Sequence, residues 1–356
     1  MKIVSIVGAR PQFIKAAVVS REIRKYHEEI IVHTGQHFDY NMSEVFFEEL
    51  EIPHPDYNLG VSGGTHGQMT GNMIIEIENV LMQEKPDAVL LYGDTNSTLA
   101  GAIATVKLHI PILHVEAGSR VGSLDNPEEV NTIVTDNLSK VLFCCTKSDK
   151  EQLEKEGITK NVFLVGDPMY DAFLYYSQKS SKVIEKIKDI NGDIVEIPDN
   201  FYYMTCHRPE NTEDDTKVIE ILEAMNSLDY KTIYPVHPRN RNKIIEFSRR
   251  YSNIIFSNPV SYLSSVYFTK NAEKIVTDSG GLQREAFFAE KKCVTIFDKV
   301  MWKETMIDNR NNLSKAERND ILDKLALPMH IDNSYKPFGE GDASVKIAKI
   351  INETYC

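Results

Sequence analysis

Residues 88–98 read Ala88-Val89-Leu90-Leu91-Tyr92-Gly93-Asp94-Thr95-Asn96-Ser97-Thr98, and a helical period then continues to residue 109. An unbroken apolar run, closed by glycine and followed by a helix, marks a parallel strand covered on both faces. In an open parallel sheet the carboxyl ends of the strands border the ligand crevice, so Asp94 points at a bound molecule and not into the core. The competing reading makes Asp94 the N-cap of the helix that follows.

Working outward, the same pattern recurs. Residues 3–7, 30–33, 112–115, 141–144 and 162–165 read as further strands, with helices over 13–25 and 66–83. After a helical stretch over 170–187 and the turn-rich Asp189-Ile190-Asn191-Gly192-Asp193, strands return at 201–205, 232–236, 254–256, 274–277 and 293–297. The expectation is an α/β protein of two Rossmann-like domains, residues 1–168 and 169–341, with a helix in 342–356 packing back on the first. A chain of 356 residues is long enough for two such cores.

The 40 Lys and Arg against 52 Asp and Glu leave a net charge of −12, which disfavours nucleic acid or an anionic membrane as partner. No apolar run approaches the roughly 20 residues that span a bilayer, and the chain opens directly on a strand, so a cytoplasmic protein is expected. Cys144, Cys145, Cys206, Cys293 and Cys356 fall at irregular positions without a Cys-x-x-Cys pair, which suits reduced thiols better than disulfides or zinc. His33 and His37 flank Thr34-Gly35, a strand end and turn, so no metal is expected there.

Other strand ends carry chemistry too. Glu116 closes His114-Val115-Glu116-Ala117-Gly118, and a glutamate at the end of an apolar strand is a costly structural choice. Glu128, in Asn126-Pro127-Glu128-Glu129, is open to an acid-base reading or to that of a first-turn residue serving a helix dipole. Neither a Gly-x-Gly-x-x-Gly nor a Walker sequence is present, which counts against NAD and ATP as cofactors. Gly8-Ala9-Arg10-Pro11-Gln12, with Lys15 a turn further on, brings two cations to a helix start, Pro11 suiting position N1. Asp278-Ser279-Gly280-Gly281 opens another helix, whose free N–H groups and Ser279 hydroxyl suit a phosphate, and Glu285 could accept from ribose hydroxyls. His207-Arg208-Pro209 follows a third strand and could grip a diphosphate; His237 at the next strand end is open to a binding or a structural reading.

Taken in order, Gly8-Ala9-Arg10-Pro11, Thr34-Gly35-Gln36-His37, Gly93-Asp94-Thr95-Asn96-Ser97, His114-Val115-Glu116-Ala117-Gly118, Pro127-Glu128-Glu129, His207-Arg208-Pro209-Glu210-Asn211, His237-Pro238 and Asp278-Ser279-Gly280-Gly281 span nearly the whole chain. Together they resemble the non-hydrolysing UDP-N-acetylglucosamine 2-epimerases. Residues 7–15 and 66–71 look most like the branch that includes UDP-2,3-diacetamidoglucuronate 2-epimerases. The resemblance implies a GT-B-like fold with two domains facing a central cleft, a UDP-sugar substrate and a homodimer. It also implies a reaction in which UDP is eliminated across C1 and C2 and then added back with the C2 hydrogen on the opposite face. Asp94, Glu116 and Glu128 match the acid-base carboxylates, and His207 is expected among the catalytic residues with them. Arg10, Lys15, His207, Ser279 and Glu285 match positions that hold UDP, the cations at its diphosphate and Glu285 at its ribose; Arg208, His237, Gly280 and Gly281 stand beside them.

The chain departs from the family pattern in places. Ser119 precedes Arg120 in place of leucine, Thr132 follows Asn131 in place of arginine, and Phe297 and Met301 replace an arginine and a glutamate. Joint loss of both charges is what a coherent repacking requires, so Phe297 and Met301 are expected to form an apolar contact, and a sugar modified at C3 or C6 is the expected substrate. A hydrolysing epimerase, a GT-B glycosyltransferase and a non-catalytic UDP-sugar-binding paralogue stay open as alternatives.

Overall fold

The computed structural model describes residues 1–36, 47, 49–180, 184 and 186–355; His37, Cys356 and part of the 170–187 stretch lie outside the described residues. Two compact units are formed, Met1–Leu174 together with Lys336–Cys356, and Tyr175–Tyr335.

In the first unit β1 (Lys2–Val7), β2 (Glu28–His33), β3 (Tyr57–Asn58), β4 (Ala88–Tyr92), β5 (Ile112–Val115), β6 (Val141–Cys144) and β7 (Val162–Leu164) make one parallel sheet. Its order is β3-β2-β1-β4-β5-β6-β7. Helices α1 (Arg10–Ile23), α2 (His66–Glu84), α3 (Asn96–Lys107), α4 (Pro127–Leu138), α5 (Lys147–Lys155) and α6 (Pro168–Lys179) alternate with the strands. All five residues of β4 are buried, which is why its sequence is apolar without alternation. Strand order reverses between β1 and β4, so the loops after them border the switch point of the sheet. Pairing of Ile6 with Leu91 and of Tyr92 with Val115 sets the segments starting at Gly8, Gly93 and Glu116 side by side. Gly8 has no room for a side chain: a Cβ there would fall 2.2 Å from Ser97 Oγ and from Thr34 Oγ1.

The C-terminal helix Ala343–Tyr355 packs on α1. Its first N–H groups are met by Asp171 of α6, whose carboxylate accepts from Ala343 N at 3.1 Å and from Ser344 N at 2.7 Å.

The second unit repeats the topology. Strands β8 (Lys186–Lys188) and β9 (Ile194–Glu196) form an antiparallel hairpin, while β10 (Phe201–Thr205), β11 (Lys231–Pro235), β12 (Ile254–Ser257), β13 (Lys274–Thr277), β14 (Lys292–Ile296) and β15 (Asn311–Ser314) form a parallel sheet ordered β12-β11-β10-β13-β14-β15. The switch point lies between β10 and β13, with Thr205 opposite Thr277. Helices α7 (Pro209–Thr212), α8 (Asp215–Asn226), α9 (Arg241–Ser248), α10 (Tyr262–Asn271), α11 (Gly280–Phe288) and α12 (Arg318–Ala326) complete it.

Residues 186 and 187 are strand and not the end of a helix, contrary to the sequence expectation. Asp189 Oδ1 accepts from Asn191 N and Asp193 N, both at 2.8 Å, and Gly192 takes φ 97°, so this turn reverses the chain into a hairpin. Among the described residues, no helix is long and apolar enough to cross a membrane.

Candidate active site

The first group of site residues surrounds the switch point of the first sheet. Asp94 follows β4 but does not cap α3: Thr95 does, accepting from Thr98 N. That excludes the capping reading of Asp94. The Asp94 carbonyl is held by Asn131 Nδ2 at 2.9 Å, from α4. Glu128 lies exposed in the first turn of α4, whose cap is Asn126. Its neighbour Glu129 turns away and binds the loop before the helix, accepting from Val121 N at 2.6 Å and Gly122 N at 3.2 Å.

Glu116 adopts φ 72°, a left-handed conformation that a residue with a side chain rarely takes. Strain of this kind gathers at functional sites. Its buried carboxylate forms an ion pair with Lys15 Nζ. A Cβ at Gly93 would lie 3.4 Å from the same ammonium, so Lys15 sits against the segment that carries Asp94. The resemblance implies that Lys15 holds the diphosphate; in this structure its charge meets Glu116. Arg10 begins α1 and is half-buried, and Pro11 occupies the second helical position instead of the first.

Gln12 fastens this corner. Its Oε1 accepts from Gly8 N at 2.8 Å and Ala9 N at 3.0 Å, while Nε2 donates to Tyr92 O at 2.7 Å and Thr98 Oγ1 at 3.0 Å. The turn after β1 is thereby tied to the end of β4. No spacing rule in the sequence singles Gln12 out.

The second group lies at the switch point of the second sheet. Asp278, fully buried at the end of β13, accepts from His207 Nδ1 at 2.8 Å, His207 N at 2.9 Å and Arg208 N at 2.8 Å, and its own carbonyl accepts from Arg208 Nε at 2.7 Å. Burial alone would raise the Asp278 pKa. The hydrogen bond and charge of His207, with the amides of Arg208 and His207, outweigh that and hold it below the ordinary carboxylate range. Asp278 therefore fixes the ring of His207 through Nδ1, as carboxylates orient histidines elsewhere. His237 stacks on His207 with ring centroids 6.0 Å apart, and its Nδ1 accepts from Arg239 N.

Ser279 is the N-cap of α11, accepting from Leu282 N at 3.4 Å, with Gly280 and Gly281 as the first helical residues and Glu285 buried one turn on. A helix start free of side chains at two successive positions suits close approach of an anion. Phe297 and Met301 converge on Arg208. Its guanidinium carbon lies 4.2 Å from the Phe297 ring centroid, and Nη2 lies 3.3 Å from Met301 Sδ. Each of the two side chains thus meets the Arg208 cation, where a direct apolar contact between them was the expectation.

Among the described residues, one group offers metal-type donors, Glu116, Cys145 and Asp167, whose ligand atoms lie within 4.8 Å of one another. The Lys15 ammonium already answers the Glu116 charge, and a cation would have to displace it. The four described cysteines are buried and none is in a disulfide, and burial raises the thiol pKa of Cys144, Cys206 and Cys293.

Comparison with known proteins shows the family. A family model described as UDP-N-acetylglucosamine 2-epimerase matches residues 21–352. A UDP-N-acetylglucosamine 2-epimerase homolog of Methanococcus maripaludis is 46% identical over 99% of both chains. The UDP-2,3-diacetamido-2,3-dideoxy-D-glucuronate 2-epimerase of Pseudomonas aeruginosa is 44% identical, again over 99% of each. Among solved structures, the UDP-GlcNAc 2-epimerase of Methanocaldococcus jannaschii in complex with UDP-GlcNAc and UDP superposes with a TM-score of 0.88 at 36% identity, covering 99% of this chain and 100% of that one.

Proposed function

The chain belongs to the UDP-N-acetylglucosamine 2-epimerase family, and from that premise we propose that it inverts C2 of a UDP-2-acetamido sugar with the residues described above. The observation that carries the assignment of roles is Glu116, strained, buried and paired with Lys15 beside the Asp94 segment. The C2 hydrogen is weakly acidic, and a positioned carboxylate among Asp94, Glu116 and Glu128 removes it while the C1–O bond to UDP breaks. The electron pair of the C2–H bond becomes the C1–C2 double bond of a glycal, and UDP leaves as the anion. Return of UDP to C1 with protonation of C2 from the other face gives the epimer.

Departure of UDP needs cations and N–H donors on its diphosphate. His207, Arg208 and the start of α11 at Ser279, Gly280 and Gly281 supply them, with Arg10 as a further cation; Glu285 takes the ribose hydroxyls. His237 steadies His207 by stacking. Neither a cofactor nor a metal enters this scheme.

The 44% identity to a 2-epimerase of a diacetamidoglucuronate sugar, with Phe297 and Met301 in place of an arginine and a glutamate, supports a substrate modified at C3 or C6. The 46% identity to a UDP-N-acetylglucosamine 2-epimerase homolog supports plain UDP-N-acetylglucosamine as the second reading. A homodimer, placed in the cytoplasm, is the assembly we favour; exposed Ile75 and Met82 on α2 offer it apolar surface.

The test is incubation in deuterated water with a panel of UDP-2-acetamido sugars, following C2 by NMR. Deuterium at C2 with UDP still attached is expected, with a higher kcat/KM for a modified sugar than for UDP-N-acetylglucosamine. Release of free UDP would favour the hydrolysing reading, and no exchange with any sugar a binding protein.

A further inference from the structure

Beneath the first-sheet carboxylates lies a charged cluster that takes no direct part in the proposed chemistry. His114, on β5, is fully buried; its Nδ1 lies 2.7 Å from Asp136 Oδ1 and its Nε2 lies 2.8 Å from the carbonyl oxygen of Gly93. Both partners are acceptors. A neutral imidazole carries one N–H, so both contacts are hydrogen bonds only when the ring is the imidazolium.

The local charge count agrees. Asp136 Oδ2 lies 2.8 Å from Arg120 Nη2, and Arg120 also meets Glu156 through Nε at 3.0 Å and Nη2 at 2.7 Å. Two cations and two carboxylates sum to zero with the ring protonated, whereas a neutral ring leaves one negative charge unbalanced. Arg120 keeps this place although Ser119 departs from the family pattern beside it.

What the cluster holds is the backbone of the site. Gly93, whose carbonyl accepts from His114, immediately precedes Asp94. Asp136 Oδ2 accepts from Gly118 N at 3.1 Å, two residues beyond the strained Glu116. Gly118 admits no side chain, since a Cβ there would fall 2.4 Å from the Asp149 carbonyl oxygen, so this hydrogen bond fixes a segment already pressed against α5. Asp136 itself is on α4, which carries Glu128 in its first turn. One buried pair therefore touches the three segments that present Asp94, Glu116 and Glu128.

A buried ion pair is a poor source of net stability compared with apolar packing. Registry of three catalytic segments is the stronger reason for it. We infer that the His114 imidazolium and Asp136 are positioning residues that set the geometry of all three carboxylates, an inference that rests on the proposed epimerase reading for the chemistry they serve.

The experiment uses the full chain and the UDP-sugar that wild type exchanges best. His114→Gln keeps a donor for the Gly93 carbonyl but loses the charge, His114→Phe loses both, and Asp136→Asn keeps the shape of the acceptor. Misplacement of reacting groups by an ångström costs about 10²-fold in rate. The expected result is a fall of that order in kcat for C2 exchange with KM and the thermal shift by UDP close to wild type, His114→Gln retaining more activity than His114→Phe. Nitrogen-15 NMR of labelled histidine should show both His114 ring nitrogens protonated. Wild-type kcat in both His114→Gln and Asp136→Asn, or a singly protonated His114 ring, would overturn the proposal. A wild-type protein that exchanges no sugar would instead defeat the epimerase reading, and the NMR measurement would still decide on the imidazolium.

Discussion

Lys15 and Glu116 form an ion pair in which the two side chains are only 3% and 8% exposed, and the glutamate has a left-handed backbone. Removing one partner of such a pair leaves an uncompensated buried charge, at a cost of about 3–5 kcal/mol. Lys15→Met is therefore expected to destabilise the first unit by that order, and adding Glu116→Gln to restore most of it. Urea denaturation of the single and double variants measures this. A Lys15→Met midpoint equal to wild type would mean that the pair does not hold the site together.

Asp94→Asn, Glu116→Gln and Glu128→Gln each remove a carboxylate while keeping its shape. General acid-base groups contribute about 10²- to 10⁴-fold in rate, so each variant should lose C2 exchange by that order. Glu128 is exposed in the first turn of α4, so its variant should melt as wild type does. If all three exchanged deuterium at the wild-type rate, the acid-base chemistry would have to lie elsewhere.

Asp278 gives the second unit a pH dependence whose sign follows from its surroundings. Its carboxyl is held below its unfolded value, because the contacts from His207 and the His207 and Arg208 amides outweigh the burial that opposes them. A depressed carboxyl binds fewer protons folded than unfolded, so its stabilisation is present above the unfolded pKa of about 3.9 and is lost as pH falls through the folded value. Asp278→Asn should flatten the acid limb of the stability profile below about pH 4 and weaken UDP binding at neutral pH. An unchanged acid limb would show that the His207 contact contributes nothing to folding.

Both doubly wound sheets were legible because parallel strands buried on two faces are written as unbroken apolar runs, of which residues 88–92 are an instance. Strand β15, with sequence Asn311-Asn312-Leu313-Ser314 at the sheet edge, has no such run and left no signal. The turn Asp189-Ile190-Asn191-Gly192-Asp193 was visible as a turn, but that it closes a hairpin depends on pairing β8 with β9, two short strands of mixed polarity. Carboxylates at strand ends could be found because position relative to an apolar run is local information. The partners could not: Asp278 meets His207 from 71 residues away, and Asp136 meets His114 from the next helix, contacts fixed by sheet order and not by spacing.

Phe297 and Met301 stand where the family pattern has an arginine and a glutamate, and both touch the Arg208 guanidinium. An aromatic face under a guanidinium contributes about 0.5 to 2 kcal/mol, more when water is excluded. If the ring holds Arg208 ready for the diphosphate, Phe297→Leu should weaken UDP binding by about 2- to 30-fold, and Phe297→Tyr, which keeps the ring, should not. Met301→Leu should have the smaller effect, since an apolar neighbour remains at the guanidinium. Calorimetric titration with UDP measures each constant, and a double-mutant cycle assigns the cause. In an Arg208→Ala background the Phe297→Leu penalty should vanish. A penalty of equal size with and without Arg208 would place Phe297 in direct contact with the nucleotide and end the case for a cation held by an aromatic ring.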